Sequence, residues 1–290
     1  MTTTPAEHQR LLRLATRASL AVASILVLSK AVGWWLSGSV SLLAGLTDSA
    51  LDAVASFLNL LAVHYALRPA DDDHRYGHGK AEALAGMAQA LFIAVSAMLI
   101  GVQAAERLHT PKPLGDTDIG IAVMLLSLVL TLALLALQSK VIRVTGSTAV
   151  RADSLHYRSD LLLNGSILLA LLLAHFGWPQ LDALFGLGIA AYILWSALQI
   201  ARESTAILMD KELPADVGEE MAMLVLAIPG VKGVHDLRTR VSGNQWFVQL
   251  HLELPGMLPL DEAHGLCVKA SEVIRQRYPQ ADVMVHADPV

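Results

Sequence analysis

Two pairs of ionisable residues stand where a lipid-spanning chain would normally exclude them. Asp48 and Asp52 lie in one long apolar stretch, and His156 and Asp160 lie in another much further along. Even on the mildest scale, an ionisable side chain at the centre of the hydrocarbon costs roughly 2.5–3.5 kcal/mol. A chain that keeps four such groups there has a use for them. Each pair is spaced i, i+4, which puts both members on one helical face. Three carboxylates and an imidazole form the donor set of a tetrahedral divalent-metal site. The chemistry implied is the handling of ions inside a membrane. A lone aspartate could instead cap a helix or pair with Lys30 of the first apolar segment, but two spaced pairs at matching depth favour the ligand reading.

Depth follows from simple arithmetic. If the second segment begins near Ser39 and runs inward, Asp48 and Asp52 lie about 14–20 Å below its outer end at 1.5 Å per residue. If the fifth begins near Thr148 and runs outward, His156 and Asp160 lie about 12–18 Å from its inner end. In a core roughly 30 Å thick, both pairs reach the mid-plane.

Six apolar segments meet the spanning criterion of roughly 20 residues. They cover approximately 14–36, 39–67, 79–108, 116–140, 148–176 and 179–208. Gly38 and Ser39, Arg68-Pro69 with Asp71-Asp72-Asp73, Pro111 with Pro113, and Gly177-Trp178-Pro179 mark breaks between them. Basic residues alternate in number between the two sides. Arg10, Arg13, Arg17, Arg68, Arg75, Lys80, Lys140, Arg143, Arg151, Arg202 and Lys211 fall on one side, against Arg107 and Lys112 on the other. The positive-inside rule then places both termini in the cytoplasm.

Composition agrees with this class. Of 290 residues, 54% are hydrophobic and only 16% charged, against about 25% charged in a soluble domain. Mean hydropathy is +0.51. The net charge of -5 is mild. No basic patch with interleaved aromatics suggests nucleic-acid binding. The single cysteine, Cys267, excludes an internal disulfide framework and a thiolate zinc cluster. Residues 1–17 are polar and basic and precede a run long enough to span, so a cleavable signal peptide is not expected.

After Met209 charged residues become frequent and apolar runs shorten, so the expected domains are 1–208 and 209–290. Pro214 to Ile228 reads as an amphipathic helix stopped by Pro229-Gly230. Val234 to Val241 and Trp246 to Leu254 alternate as half-buried strands around a Ser242-Gly243-Asn244 turn. Leu260 to Tyr278 reads as a second helix and Asp282 to His286 as a last strand. The expected fold is a membrane all-α six-helix bundle followed by a small cytoplasmic α+β domain of order αββαβ. So small a core gains from dimerisation.

Further donors lie outside the lipid. Asp71, His74 and His78 have spacing suited to a surface zinc site. His235, His251, His264, His286 and Asp288 fall in or beside the predicted strands and helix, where two copies could bring them together. Lys80 and Asp210 stand at the inner ends of the third and sixth spans, where an exposed ion pair is worth about 0–1 kcal/mol. His8, His64, His109 and His175 match no ligand pattern and read as interfacial or structural.

The runs Ser41-Leu-Leu-Ala-Gly-Leu-Thr-Asp-Ser-Ala-Leu-Asp52 and Asp153-Ser-Leu-His-Tyr-Arg-Ser-Asp160 resemble those of the cation diffusion facilitators, in particular the bacterial YiiP-like zinc and iron exporters. The likeness covers nearly the whole chain. It implies a homodimer in the bacterial inner membrane that exchanges a divalent metal for protons by alternating access. It places the transport site on Asp48, Asp52, His156 and Asp160, a second site on Asp71, His74 and His78, and a binuclear dimer site on His235, His251, His286 and Asp288 with His264 as an additional ligand. It also implies that Lys80 and Asp210 brace the dimer, and that the third and sixth spans meet their copies, where Gly86, Gly186 and Gly188 allow close approach. The mixed imidazole and carboxylate donors favour Zn2+, with Cd2+ or Fe2+ also accommodated. Two rival readings use some of the same residues. An intramembrane aspartyl protease needs two membrane-embedded aspartates, but has no need of His156 or the terminal histidines. A membrane-anchored metal sensor needs no mid-plane carboxylates.

Overall fold

A computed structural model describes residues 5–37, 40–109, 118–175 and 181–290. The breaks expected at Gly38 and Ser39, at Pro111 and Pro113, and at Gly177-Trp178-Pro179 lie outside the described residues, as does Lys112. The side chains of Arg107, His109 and His175 also lie outside them.

Six long helices come first: α1 (Pro5–Ser37), α2 (Val40–Ala66), α3 (Ala81–His109), α4 (Asp118–Thr145), α5 (Thr148–His175) and α6 (Leu181–Leu208). They extend past several of the apolar segments. The start of α1 lies well before residue 14, because polar residues outside the lipid continue a helix as readily as apolar ones inside it. Among the described residues, five of the six are long and apolar enough to cross a membrane. The first half of α5 carries Arg151, Asp153, His156, Arg158 and Asp160.

The chain forms two compact units. One comprises Met1–Leu67 with Ala81–Ser204, and the other Arg68–Lys80 with Thr205–Val290. The loop between α2 and α3 therefore packs with the C-terminal residues.

In the helical unit, small side chains set the helix spacing. Ala90, Ile93 and Ala97 of α3, Ala152 and Leu155 of α5, and Ile193, Ala197 and Ile200 of α6 form one buried cluster. A Cβ at Gly86 would stand 2.9 Å from Ser204 Oγ, and one at Gly186 would stand 3.0 Å from Ala104 Cβ. These glycines admit contact between α3 and α6 within one chain. At Gly188 a Cβ would meet nothing within 4 Å among the described residues. A second cluster joins Leu12 and Ala15 of α1, Val63 of α2, Val141 of α4, and Ala149 and Val150 of α5.

The start of α5 is fixed locally. Gly146 ends α4 at φ +65°, a left-handed conformation that costs glycine little, and its N–H bonds to Ile142 O at 2.8 Å. Ser147 then caps α5, its Oγ accepting the Val150 N–H at 3.2 Å. That same hydroxyl donates to buried Glu82 of α3. The junction sets how far His156 and Asp160 stand into the bundle.

In the second unit, α7 (Ala215–Leu226), β1 (Gly233–Ser242), β2 (Gln245–Leu254), α8 (Leu260–Arg277) and β3 (Ala281–Pro289) follow the expected order. Pro214 and Pro259 precede the two helices, a position where the missing N–H costs nothing. Gly243 turns the β1–β2 hairpin at φ +59°. The sheet order is β1-β2-β3, antiparallel then parallel, with α8 as the crossover. Val248, Leu250, Leu252 and Leu254 of β2 bury one face against Met221, Val225, Ala270 and Ile274 of the helices. Alternation then sends Phe247, Gln249, His251 and Glu253 to the opposite, helix-free face.

Candidate metal centres

Within the helical unit, Asp52 of α2 meets His156 and Asp160 of α5. His156 Nε2 lies 2.8 Å from Asp52 Oδ1 and 3.9 Å from Asp160 Oδ2. One donor atom from each residue falls within 4.8 Å of the others. His156 is buried, and both carboxylates are partly so. Phe92 meets the imidazole edge-on, with centroids 5.9 Å apart. The arrangement offers one nitrogen and up to four oxygens at one point between α2 and α5, which suits a borderline dication.

Asp48 stands one turn before Asp52 on α2, exposed and outside this group of three. Lys30 of α1, considered above as a partner for the acidic residues, donates to Ser49 Oγ at 2.7 Å. Several polar neighbours take no role from their spacing in the sequence. Tyr157, 1% exposed, lies 2.9 Å from Ser56 Oγ, and Asp153 accepts from Gln89 and Gln138. They are isolated polar letters on three or more helices, and no spacing rule links them before the helices are packed.

The second unit carries two further groups. In the α2–α3 loop, Asp71, His74 and His78 offer donor atoms within 4.8 Å of one another. Asp71 Oδ1 accepts the His74 N–H at 2.7 Å and lies 3.3 Å from His74 Nδ1, while Oδ2 lies 3.3 Å from His78 Nε2. The His74 backbone N–H holds the Asp71 carboxyl below its ordinary range, against burial, with the His74 side chain and the field of His78 adding to the lowering. The loop is tied to the sheet through Tyr76, whose ring meets Phe247 edge-on at 5.2 Å and carries the Arg240 guanidinium at 4.5 Å.

On the helix-free sheet face, His235, His251 and His286 stand in one row across β1, β2 and β3, each the register partner of the next. Asp288 serves all three. Its Oδ2 lies 2.8 Å from His251 Nδ1 and 3.1 Å from His235 Nε2, and its Oδ1 lies 3.3 Å from His286 Nε2. The His251 hydrogen bond lowers the Asp288 pKa first, against burial, and the fields of the three histidines lower it further. Imidazoles and an ionised carboxylate fit a zinc donor set. Glu253, not expected from the sequence, also reaches His235 Nδ1 at 3.1 Å. It is found only once strand register puts it beside Asp288. In the single chain, His264 sits exposed on α8, outside the group of His235, His251 and Asp288. His8 is buried in α1, and His64 lies exposed in the last turn of α2.

Lys80 Nζ meets Asp210 Oδ1 at 2.8 Å, and Arg240 reaches the other oxygen at 3.4 Å. Asp210 takes φ +55°. The Lys80 hydrogen bond lowers its pKa first, against burial, with the charges of Lys80 and Arg240 adding to the effect. Because the folded pKa is depressed, the pair's contribution is full above the ordinary aspartate value of about 3.9 and fades as pH falls through the lowered one. Asp210→Asn is therefore expected to destabilise the protein by no more than about 1 kcal/mol, given the exposure of both partners. Thermal unfolding of both proteins between pH 3 and 7 checks this, with the difference shrinking only at the acid end.

A family described as the cation efflux transmembrane domain matches residues 16–209, and one described as the cation efflux protein cytoplasmic domain matches residues 213–290. The chain is 49% identical over 282 residues to the cation-efflux pump FieF of Escherichia fergusonii, covering 97% of this chain and 94% of that protein. It is 48% identical over 283 residues to the cation-efflux pump FieF of Yersinia enterocolitica, covering 98% and 94%. Among solved structures, the metal-bound C-terminal domain of the CzcD transporter from Thermotoga maritima is 27% identical, covering 26% of this chain and 87% of that one at a TM-score of 0.25.

Proposed function

The chain belongs to the cation diffusion facilitator family of metal-cation efflux transporters, and from that premise we propose that it is a zinc/proton antiporter working by alternating access. The observation that carries this reading is the group of Asp52, His156 and Asp160, with His156 Nε2 2.8 Å from Asp52 Oδ1 inside the helical unit. Asp48 completes the set as the fourth ligand, one helical turn away, joining when the dication draws the carboxylates together. Cd2+ and Fe2+ share the donor preference and are the alternative cargoes.

Exchange follows from competition. Imidazole and carboxylates bind a metal only through lone pairs that protons also occupy, so each form displaces the other. The cytoplasm-facing site takes the ion, and the outward-facing site gives it up to a more acidic phase. Carrying two charges outward costs about 4.6 kcal/mol per 100 mV, and one returning proton recovers about half of that. Each pH unit adds about 1.4 kcal/mol. Binding a proton and a dication at one locus is what couples the two flows.

The protein works as a homodimer in the bacterial inner membrane with both termini in the cytoplasm. His235, His251, His286 and Asp288 form its cytoplasmic regulatory site, with His264 contributed at the contact between copies. Asp71, His74 and His78 form the loop site, and the Lys80–Asp210 pair orients the segments that enter and leave the membrane. Reconstituted protein given a zinc gradient should move zinc into liposomes while a trapped pH dye reports protons leaving. Zinc movement with no proton counterflow would refute exchange.

A further inference from the structure

Three residues before His156, α5 carries a carboxylate that the metal site does not use. Asp153 is 1% exposed. Its Oδ1 accepts from Gln89 Nε2 of α3 at 3.2 Å and its Oδ2 from Gln138 Nε2 of α4 at 2.7 Å. The Ser19 hydroxyl of α1 stands near it. These partners are neutral. A buried carboxylate whose hydrogen-bond partners are neutral is costly when ionised, and taking up a proton removes that cost.

The surroundings accommodate both forms. With the carboxylate ionised, both of its oxygens accept. Gln138 is fully buried, and its Oε1 has no hydrogen-bond partner among the described residues. A half-turn of that carboxamide would exchange Nε2 for Oε1 and present an acceptor to Asp153. A protonated carboxyl, which donates one hydrogen, needs such an acceptor.

A chain of hydroxyls runs from this carboxylate toward the ligand helices. Ser19 Oγ lies 3.1 Å from Ser56 Oγ, and Ser56 Oγ lies 2.9 Å from Tyr157 OH. Ser56 is one turn from Asp52 on α2, and Tyr157 adjoins His156. Each hydroxyl both donates and accepts, so a proton can pass along the row as each group gives one on and takes one up. One turn beyond Ser56, Asn59 is 3% exposed with both amide atoms unpartnered among the described residues. The polar column therefore continues along α2. His156 is the titratable group of the ligand set nearest Asp153 along α5, and Tyr157 lies in the field of both Asp153 and Asp52. Elements α1, α3 and α4 contribute the neutral Ser19, Gln89 and Gln138.

We propose that Asp153 is a proton-binding site separate from the metal ligands, filled and emptied through the hydroxyls of Tyr157, Ser56 and Ser19. The proposal rests on the exchange reading above. When the dication leaves, a proton arriving at the ligand group passes to Asp153 and Gln138 turns to accept its O–H. When the dication returns, its charge disfavours that proton, which leaves by the same row.

The test is the proton-to-zinc ratio of reconstituted full-length protein, with zinc alone as the cargo. Asp153→Asn and, separately, Tyr157→Phe are expected to lower the ratio by about one proton per zinc while zinc affinity stays within about threefold of wild type. A merely structural role would change rate or affinity and leave the ratio untouched. Wild-type ratios in both variants, or a lowered ratio only alongside lost zinc binding, overturn the proposal. If Asp153→Asn does not fold, Tyr157→Phe and Ser56→Ala decide the question alone. If the wild type itself moves no protons with zinc, the exchange reading fails first.

Discussion

Asp160→Ala is expected to abolish zinc-driven proton movement and to weaken zinc binding at the membrane site by more than about 100-fold. Loss of an outer-shell partner alone costs roughly 10–100-fold in metal affinity, and Asp160 is proposed as a direct ligand. Its removal leaves Asp48, Asp52 and His156, three donor groups at a point that needs four. Asp52→Ala should do the same, because the 2.8 Å bond to His156 also sets the imidazole's direction. The check is zinc titration of purified variants beside proteoliposome flux. The cytoplasmic donors remain, so residual zinc binding without transport is the expected pattern, and retained transport is the result that counts against the assignment.

The second large effect concerns which metal is carried. His156 is the only nitrogen donor in its group. His156→Asp would turn the site into an all-oxygen set, which suits hard cations such as Mn2+ better than Zn2+. The preference for zinc over manganese should fall by on the order of tenfold or more, equivalent to about 1.4 kcal/mol. Competition between the two ions in the flux assay measures it. The variant also adds a carboxylate in the membrane, so total activity should fall; the ratio of the two metals is the informative quantity.

Much of this was legible in the sequence because the two signals used are local. Hydropathy over a window finds spans, and an i, i+4 spacing finds a helical face. Together they placed Asp52, His156 and Asp160 before any packing was known. The same rule is blind to how a helix is turned against its neighbours. Asp48 shares a face with Asp52 by spacing, yet in the structure it stands exposed while Asp52 meets His156. The strand alternation likewise found the half-buried strands of the C-terminal unit. It did not show that His235, His251 and His286 share one row, since register comes from tertiary pairing. Glu253 was missed for the same reason.

Polar groups that serve from different helices were the least visible. Asp153 was read only as part of a motif, although Gln89 and Gln138 reach it from α3 and α4. Nothing in the spacing of residues 89, 138 and 153 relates them. The attachment of the 68–80 loop to the sheet through Tyr76 and Arg240 is of the same kind. It moves that loop from a connection between spans to a part of the second unit.

Anomalous X-ray scattering at the zinc edge, from crystals grown with zinc, tests the central claim most directly. The account predicts a peak between α2 and α5 with donor atoms of Asp52, His156 and Asp160 about 2.0–2.2 Å from it, and Asp48 drawn in as the fourth. Occupied cytoplasmic sites with no density between those two helices would contradict it.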